Sequence, residues 1–350
     1  MPVVTGFCDL CHRLQSDMGT IKDVPRGDWS TRTHFEGAKE GFMTTPLMQP
    51  TQNLRKEMQG NTKISVTRIM LMTDFSKVSE QALEYASAVA RRYDARIYLT
   101  HIISPDSYQL AEPSLAEATY QNLRQAAEQS IADILVSGKL RGIPHEVLLY
   151  EGSLWPTVES LIKEYGIDLV VIGTHGRGQF KKMILGSVAE EVFRQAGCPV
   201  LTVGPRNEAR VPYEVELQNI LFATDYGPGA ERAAQYAFSL AQEHGARLTL
   251  LHVVEEIGLH TEEQIEQVRK VNIQKMRRFM PQEIENWCNV TFRVAFGTVI
   301  EEILEEARDT RADLIIMGTK ARKTFAGHAP MTIAYNIAAK AKCPVLTVRG

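Results

Sequence analysis

The chain has 350 residues, of which 44% are apolar, and a formal net charge of −3 at pH 7. A single hydrophobic core stops growing at about 250–300 residues, so we expect more than one domain. The nearly balanced charge argues against nucleic acid or an anionic membrane as a partner, and no apolar run approaches the ~18–20 residues of a membrane span.

Residues 1–63 carry no sustained helical or strand periodicity and are rich in Thr, Gly, Pro and Met. We therefore expect a mostly disordered N-terminal tail. Its segment CDLCH, with Cys8, Cys11 and His12, matches the spelling of a haem-attachment motif and half of a zinc site. Haem attachment normally follows export, the N-terminus lacks the pattern of a secretory signal, and no second cysteine pair lies nearby. For these reasons we interpret the two cysteines as ordinary thiols in a tail, and we expect a cytoplasmic location.

Ordered structure is predicted to begin at residues 66–76, VTRIMLMTDFS, where an apolar run ends in Thr-Asp, as for a buried strand that enters a turn. A helical pattern follows at 79–95, then the strand RIYLTHII, a long helix and the strand HEVLLY. Another helix precedes the strand IDLVVIGT, and a last helix leads into AGCPVLTVGP. This alternation favours right-handed crossovers and a parallel sheet covered on both faces. The first domain is predicted to span residues 64–206.

The second half of the chain repeats this order of elements. LQNILFATDYG matches the first strand, and ADLIIMGT and AKCPVLTVRG match the last two. Asp225 follows Asp74 by 151 residues, while Gly318 follows Gly173 by 145. Nearly constant spacing across several landmarks indicates a tandem duplication. We predict a polar linker at 207–216 and a second domain at 217–350.

The stretch GTHGRGQFKKMILGS connects the strand tip at Gly173 with the helix that begins at Ser187. In an open α/β sheet, ligands bind at the carboxyl ends of the strands where the strand order reverses. Glycines at this place let backbone N–H groups approach an anion, and the start of the helix adds its positive end. These features favour a phosphate-binding loop. Ser187 and Glu190 also form a capping box, S-x-x-E, which requires no ligand.

The spacing Gly173-x2-Gly176-x9-Gly186-Ser187 resembles the ATP-binding pattern of the universal stress protein family, as do the Thr-Asp end of the first strand and the terminal CPVLTV strand. The resemblance covers residues 66–204 and 217–349, and it does not cover the tail. It implies an α/β fold of two tandem adenine-nucleotide (Rossmann-like) domains, each a five-strand parallel sheet of order 3-2-1-4-5.

In this family arrangement the switch point lies between strands 1 and 4, so that Asp74 faces Gly173 across the crevice. The resemblance implies that Asp74 contacts the ribose or adenine, that Met72 and Thr73 line that wall, and that Ile102 offers backbone groups to the adenine edge. Around the phosphates it implies Gly173, His175, Gly176, Arg177, Gly186, Ser187 and Val188. The implied ligand is ATP, with Mg²⁺ held through the phosphates.

Several of these residues also have a simpler explanation. Asp74 is a candidate cap for the next helix, and Ile102 is a core strand residue in either case. His175 contributes either its backbone alone or a proton-transfer group. Arg177 either neutralises phosphate charge or belongs to a solvated basic face. His101 is best explained as a packed histidine at a strand end.

The second copy of the loop, GTKARKTFAGHAPMT at residues 318–332, has Ala321 and Met331 where Gly176 and Gly186 stand in the first. Their side chains take up space next to the phosphates, so we predict that the second domain folds but binds ATP poorly or not at all. The resemblance implies that such domains pair through their last strands. Here PVLTVG and PVLTVR would form an intrachain pseudo-dimer, which removes two exposed sheet edges, and a further homodimer stays open.

The resemblance thus implies an ATP-binding universal stress protein that acts in stress response or signalling through nucleotide-dependent contacts with an unidentified protein partner. Two alternatives stay open, a slow ATP-hydrolysing enzyme and a scaffold whose interactions need no nucleotide. Hydrolysis is less favoured because the sequence has no Walker motif and no acidic cluster near the glycines, and only His175 is placed to act.

Overall fold

A computed structural model describes most of the chain from Ile64 onwards. The predicted tail, with its CDLCH segment, and nearly all of the predicted linker lie outside the described residues. The described residues are 64–105, 108, 113–174, 187–204, 216–255, 261–280, 284–286, 288–319 and 333–350.

The first repeat alternates strands and helices, as its apolar pattern predicts. The strands next to the switch point are buried on both faces, which explains their nearly continuous apolar sequence. The first helix begins after Ser76, whose side chain accepts from the N–H of Ser79, and ends at Asp94 in the left-handed conformation. The elements are β1 (Arg68–Met72), α1 (Lys77–Tyr93), β2 (Arg96–Ile103), α2 (Pro113–Val136), β3 (His145–Glu151), α3 (Leu154–Tyr165), β4 (Leu169–Gly173), α4 (Ser187–Gln195) and β5 (Val200–Val203).

The second repeat has the same order of strands and helices, together with a short 3₁₀ turn at Ile284–Asn286. Its elements are β6 (Asn219–Ala223), α5 (Pro228–His244), β7 (Arg247–Val254), α6 (Glu262–Phe279), β8 (Val290–Phe296), α7 (Val299–Asp309), β9 (Leu314–Thr319), α8 (Ile333–Lys340) and β10 (Val345–Arg349). Within the part of the chain that is described, no helix combines the length and the apolar character needed to cross a bilayer.

All ten strands form one sheet in the order β3-β2-β1-β4-β5-β10-β9-β6-β7-β8. Each repeat therefore has the strand order 3-2-1-4-5 that the family resemblance implies, with parallel pairing inside the repeat. One apolar layer contains buried residues of α1, α2, α5 and α6, and the layer on the other face contains those of α3, α4, α7 and α8. The helices that follow β1 and β4 thus lie on opposite faces of the sheet.

The two repeats join through their last strands, β5 and β10, which pair antiparallel with Leu201 opposite Leu346. The hydroxyl of Thr202 donates to the carbonyl of Val345 (3.1 Å), and the hydroxyl of Thr347 donates to that of Val200 (3.3 Å). This is the intrachain pairing that the family resemblance implies. It leaves neither terminal strand as an open edge at the centre of the sheet.

Side chains reinforce this junction on both sides of the sheet. Glu243, near the end of α5, accepts from Arg92 Nε (3.2 Å) and from the hydroxyl of Tyr93 (2.9 Å) at the end of α1. Burial, together with the carboxylate of Glu243, raises the pKa of Tyr93 well above its ordinary value, so this hydroxyl stays a donor. Arg349 of the second repeat donates to the carbonyl of Gln195 (2.8 Å) and so satisfies the last turn of α4 in the first.

Gly173 and Gly318 let a helix approach the end of the fourth strand of each repeat. A Cβ built on Gly173 would lie 3.1 Å from the backbone N of Ser79 in α1. A Cβ on Gly318 would lie 2.2 Å from the backbone N of Ala230 in α5. Gly318 is therefore required for packing, whereas at Gly173 a methyl group needs a shift of only a few tenths of an ångström, so the second repeat tolerates a side chain less than the first.

We predict that Gly318→Ala lowers the free energy of unfolding by about 1–3 kcal/mol, because backbone atoms of α5 must move to admit the methyl group. Gly173→Ala should cost less, since its neighbours need to shift by only a few tenths of an ångström. Denaturant unfolding of the full chain measures both changes. Gly197→Ala is the matched control, because a Cβ there meets nothing within 4 Å. Equal stability of Gly318→Ala and this control would contradict the packing role.

Candidate functional site

A pocket opens at the carboxyl edge of the first repeat, at the switch point between β1 and β4. It has a volume of about 160 Å³ as outlined by the described residues. The start of α4 and the ends of β1, β2 and β4 form its walls. Six of the residues predicted for the nucleotide site line it, namely Met72, Thr73, Asp74, Ile102, Gly173 and Val188.

The other predicted site residues fall at or beyond the limit of the described chain. Ser187 is the first residue of α4, and its side chain is not described. The capping box that it would form with Glu190 is therefore untested. His175, Gly176, Arg177 and Gly186 lie outside the described residues.

The turn that follows β1 fixes the carboxylate of Asp74. Its Oδ1 accepts from the backbone N–H of Ser76 (3.1 Å), and the hydroxyl of Thr73 accepts from the N–H of Phe75 (3.0 Å). These bonds hold Phe75 in the left-handed conformation, with φ of 61°. Since Ser76 provides the N-cap of α1, Asp74 orders the turn before the helix and does not cap it.

His101 packs beneath this turn. Its Nδ1 lies 2.7 Å from the carbonyl of Thr73, which can only accept, so Nδ1 carries the proton. Its ring lies 4.6 Å from the ring of Phe75. His101 therefore supports the turn as a packed histidine at a strand end, and Phe75 is the member of the turn that the sequence did not reveal.

The second repeat has the same turn. Asp225 accepts from the N–H of Gly227 (2.9 Å), and His252 lies 2.8 Å from the carbonyl of Thr224 and 4.5 Å from the ring of Tyr226. Burial lowers the pKa of His252 and so favours the neutral imidazole, while the hydrogen bond to the carbonyl of Thr224 acts in the opposite direction. A phenylalanine and a tyrosine thus occupy the same turn position in the two repeats. The repeat alignment could have indicated this pair of aromatic residues, but not their left-handed backbone.

Gly173 needs a different explanation from the one its sequence context suggests. Its α-hydrogen side faces the first turn of α1, where a Cβ would meet Val78 and Ser79. Glycine favours close helix–strand packing here, and the same packing, which is tighter in the second repeat, explains why Gly318 is retained in a loop that has lost its other two glycines. The backbone of Gly173 still lines the pocket, so packing and ligand contact are compatible.

The chemistry of the pocket is that of a binding site with one carboxylate. Among the described residues that line it, Asp74 is the only acidic one, and Val188 and Ala189 bring the N-terminal turn of α4 to the opposite wall. A carboxylate accepts from hydroxyl or amino groups, and a helix start attracts an anion. Within the described ranges, no three His, Cys, Asp or Glu residues lie close enough together to hold a metal ion.

Comparisons with known proteins agree with this architecture. A universal stress protein of Mycolicibacterium smegmatis is 29% identical over 298 residues, which cover 80% of this chain and 96% of that protein. One from Methanocaldococcus jannaschii is 30% identical over 138 residues, which cover 39% of this chain and 81% of that protein. The crystal structure of a universal stress protein from Archaeoglobus fulgidus superposes with a TM-score of 0.61 at 22% identity, covering 83% of this chain and 98% of that one.

The family model for the universal stress protein family matches residues 65–204 and, a second time, residues 216–349. These two matches contain the described strands and helices of both repeats. The chain therefore belongs to the universal stress protein family and carries two tandem copies of its domain.

Proposed function

We propose that the first repeat binds an adenine nucleotide, namely ATP with Mg²⁺, and that the occupied state changes the contacts of the protein with a partner in stress response or signalling. The observation that carries the proposal is the convergence of six predicted site residues, from four separate elements, on one pocket at the switch point. These residues are Met72, Thr73, Asp74, Ile102, Gly173 and Val188.

The adenosine end of the proposed site lies between β1 and β2. Asp74 is half-buried, and its Oδ1 is already oriented by the N–H of Ser76, so the carboxylate is held in place before a ribose hydroxyl arrives. Ile102 lies near the end of β2 and lines the pocket, where its backbone would meet the adenine edge. Met72 and Thr73 are buried where they line this end of the pocket, which supports a wall of fixed shape.

The phosphate end lies at the start of α4. Val188 and Ala189 place the first turn of this helix against the pocket, which suits an anion because the first N–H groups of a helix have no intrahelical acceptor. The proposed loop residues His175, Gly176, Arg177, Gly186 and Ser187 would complete the cradle. Mg²⁺ retains several waters and binds substrate phosphates in many nucleotide sites, which fits a pocket with a single carboxylate.

We propose that the second repeat has a structural role and binds ATP poorly or not at all. Its turn at Asp225 and its sheet are intact, but Ala321 and Met331 stand where two loop glycines are needed. Its last strand pairs with β5, and Arg349 satisfies the end of α4, the helix that the phosphates would face. The second repeat would thus support the nucleotide site of the first.

Titration of the full chain with ATP and Mg²⁺ should reveal one binding site per chain. Isothermal titration calorimetry gives this stoichiometry directly. Mass spectrometry of the freshly purified and then denatured protein detects nucleotide that copurified with it. Two equivalent sites would contradict the asymmetry between the repeats. No binding and no carried nucleotide would contradict the proposal as a whole.

Asp74→Ala should weaken ATP binding by at least about tenfold, because a hydrogen bond to a charged group is worth roughly 1.5–3 kcal/mol. The matched control is Asp225→Ala, which removes the corresponding turn hydrogen bond in the second repeat. Calorimetric titration of both variants separates contact with the nucleotide from loss of the turn. Equal weakening by the two variants would argue against a contact between Asp74 and ATP.

A further inference from the structure

The two repeats differ in the groove between their first two helices. In the first repeat, a cavity of about 260 Å³ lies over β1 and β2, between α1 and α2. Its apolar floor consists of Leu71, Leu83, Leu99 and Ile134. The cavity lies beside the nucleotide pocket, and Thr73 and Ser79, whose hydroxyls lie 3.1 Å apart, line both.

The corresponding space of the second repeat is filled with aromatic rings. Strand register makes Phe222 the counterpart of Leu71, because each pairs with the matching residue of the next strand, Leu250 or Leu99. Ala127 and Ile131 of α2 are buried, and so are Asn272 and Met276 of α6, which follow them by 145 residues. The same spacing of 145 residues makes Phe279 the counterpart of Ile134.

Phe279 stacks on Phe222 at 6.2 Å between ring centroids and meets the edge of Tyr226 at the same distance. Lys275 brings its ammonium to 5.9 Å from the ring centre of Tyr226. The second repeat thus fills the groove with one aromatic ring and one cation from its own α6. In the first repeat, the counterparts of Phe279 and Lys275 are Ile134 and Ser130, which leave the space open among the described residues.

The rim of the cavity favours a cation. It carries the carboxylates of Glu80 and Asp133, and one ammonium, that of Lys139, which pairs with Glu80 and with Glu84 (3.2 Å). Asp133 accepts from the side-chain amide of Gln129 (2.9 Å) and is exposed at the mouth. Its counterpart in the second repeat is Arg278, so the preference for positive charge belongs to the first repeat alone.

We propose that this cavity binds a small arylalkylamine, whose ring takes the place of the Phe279 ring and whose ammonium takes the place of the Lys275 ammonium. The ring would lie on Leu71, Leu83 and Ile134, and the ammonium would lie near Asp133 and the face of Phe75. The volume is sufficient, because an apolar cavity of ~150 Å³ already accepts benzene. The proposal does not depend on the binding of nucleotide.

The test uses the full chain and 2-phenylethylamine as the probe at pH 7, with 3-phenylpropionate as the anion of matched size. Calorimetry or ligand-observed NMR should detect saturable binding of the amine, and binding of the acid should be at least about tenfold weaker. Absence of saturable amine binding, or equal binding of both probes, would overturn the proposal. Displacement of the bound amine by ATP would also overturn the proposal, since it would place the probe in the nucleotide pocket.

Variants locate the site. Ile134→Phe should fill the cavity, weaken amine binding at least about tenfold and leave the thermal midpoint unchanged or higher. Val136→Phe adds the same ring to an exposed position of α2 and should leave amine binding unchanged. Asp133→Asn removes only charge from an exposed residue, so it should weaken amine binding without unfolding the protein. Amine binding that survives both Ile134→Phe and Asp133→Asn would overturn the assignment.

Discussion

The opposite directions in which the chain leaves β1 and β4 create the site on which the proposed function depends. The helices that follow β1 and β4, α1 and α4, lie on opposite faces of the sheet, so among the described residues no connection crosses above the ends of these adjacent strands. The gap exposes strand-end backbone, the start of a helix and the first polar residue after β1. Gly173 lets α1 pack tightly beside this gap without closing it.

The duplication provides an internal comparison for each part of this arrangement. Residues that serve the framework occur in both repeats, including the Thr-Asp turn, its packed histidine and the glycine at the end of the fourth strand. Asp168 and Asp313 belong to the same class, since each accepts from backbone N–H groups at the start of the neighbouring first strand. Positions that differ between the repeats, such as Gly176 against Ala321, are therefore the ones to associate with a ligand.

Much of the fold could be predicted because apolar runs and helical spacing report burial directly, as the buried patterns of β1 and β4 illustrate. The junction of β5 with β10 was implied by the family resemblance and not by those runs. The packing role of Gly173 and the left-handed Phe75 could not be predicted, because both depend on contacts with residues several positions away or on other elements. The parts played by His175, Gly176, Arg177 and Gly186 stay predictions, as they lie outside the described residues.

The two repeats also differ in their cores, at the groove between α1 and α2. A protein interior is close-packed, so a position that holds a phenylalanine in one repeat and an isoleucine in the other leaves space unless neighbours compensate. Around Ile134 the neighbours compensate only in part, since Leu71 also stands where Phe222 does, while Leu83 is larger than its counterpart Ala234. Two smaller residues in one groove, Leu71 and Ile134, together with the change from Lys275 and Arg278 to Ser130 and Asp133, alter volume and charge at the same place. Such a combination is expected of a binding site more than of a loosely packed core.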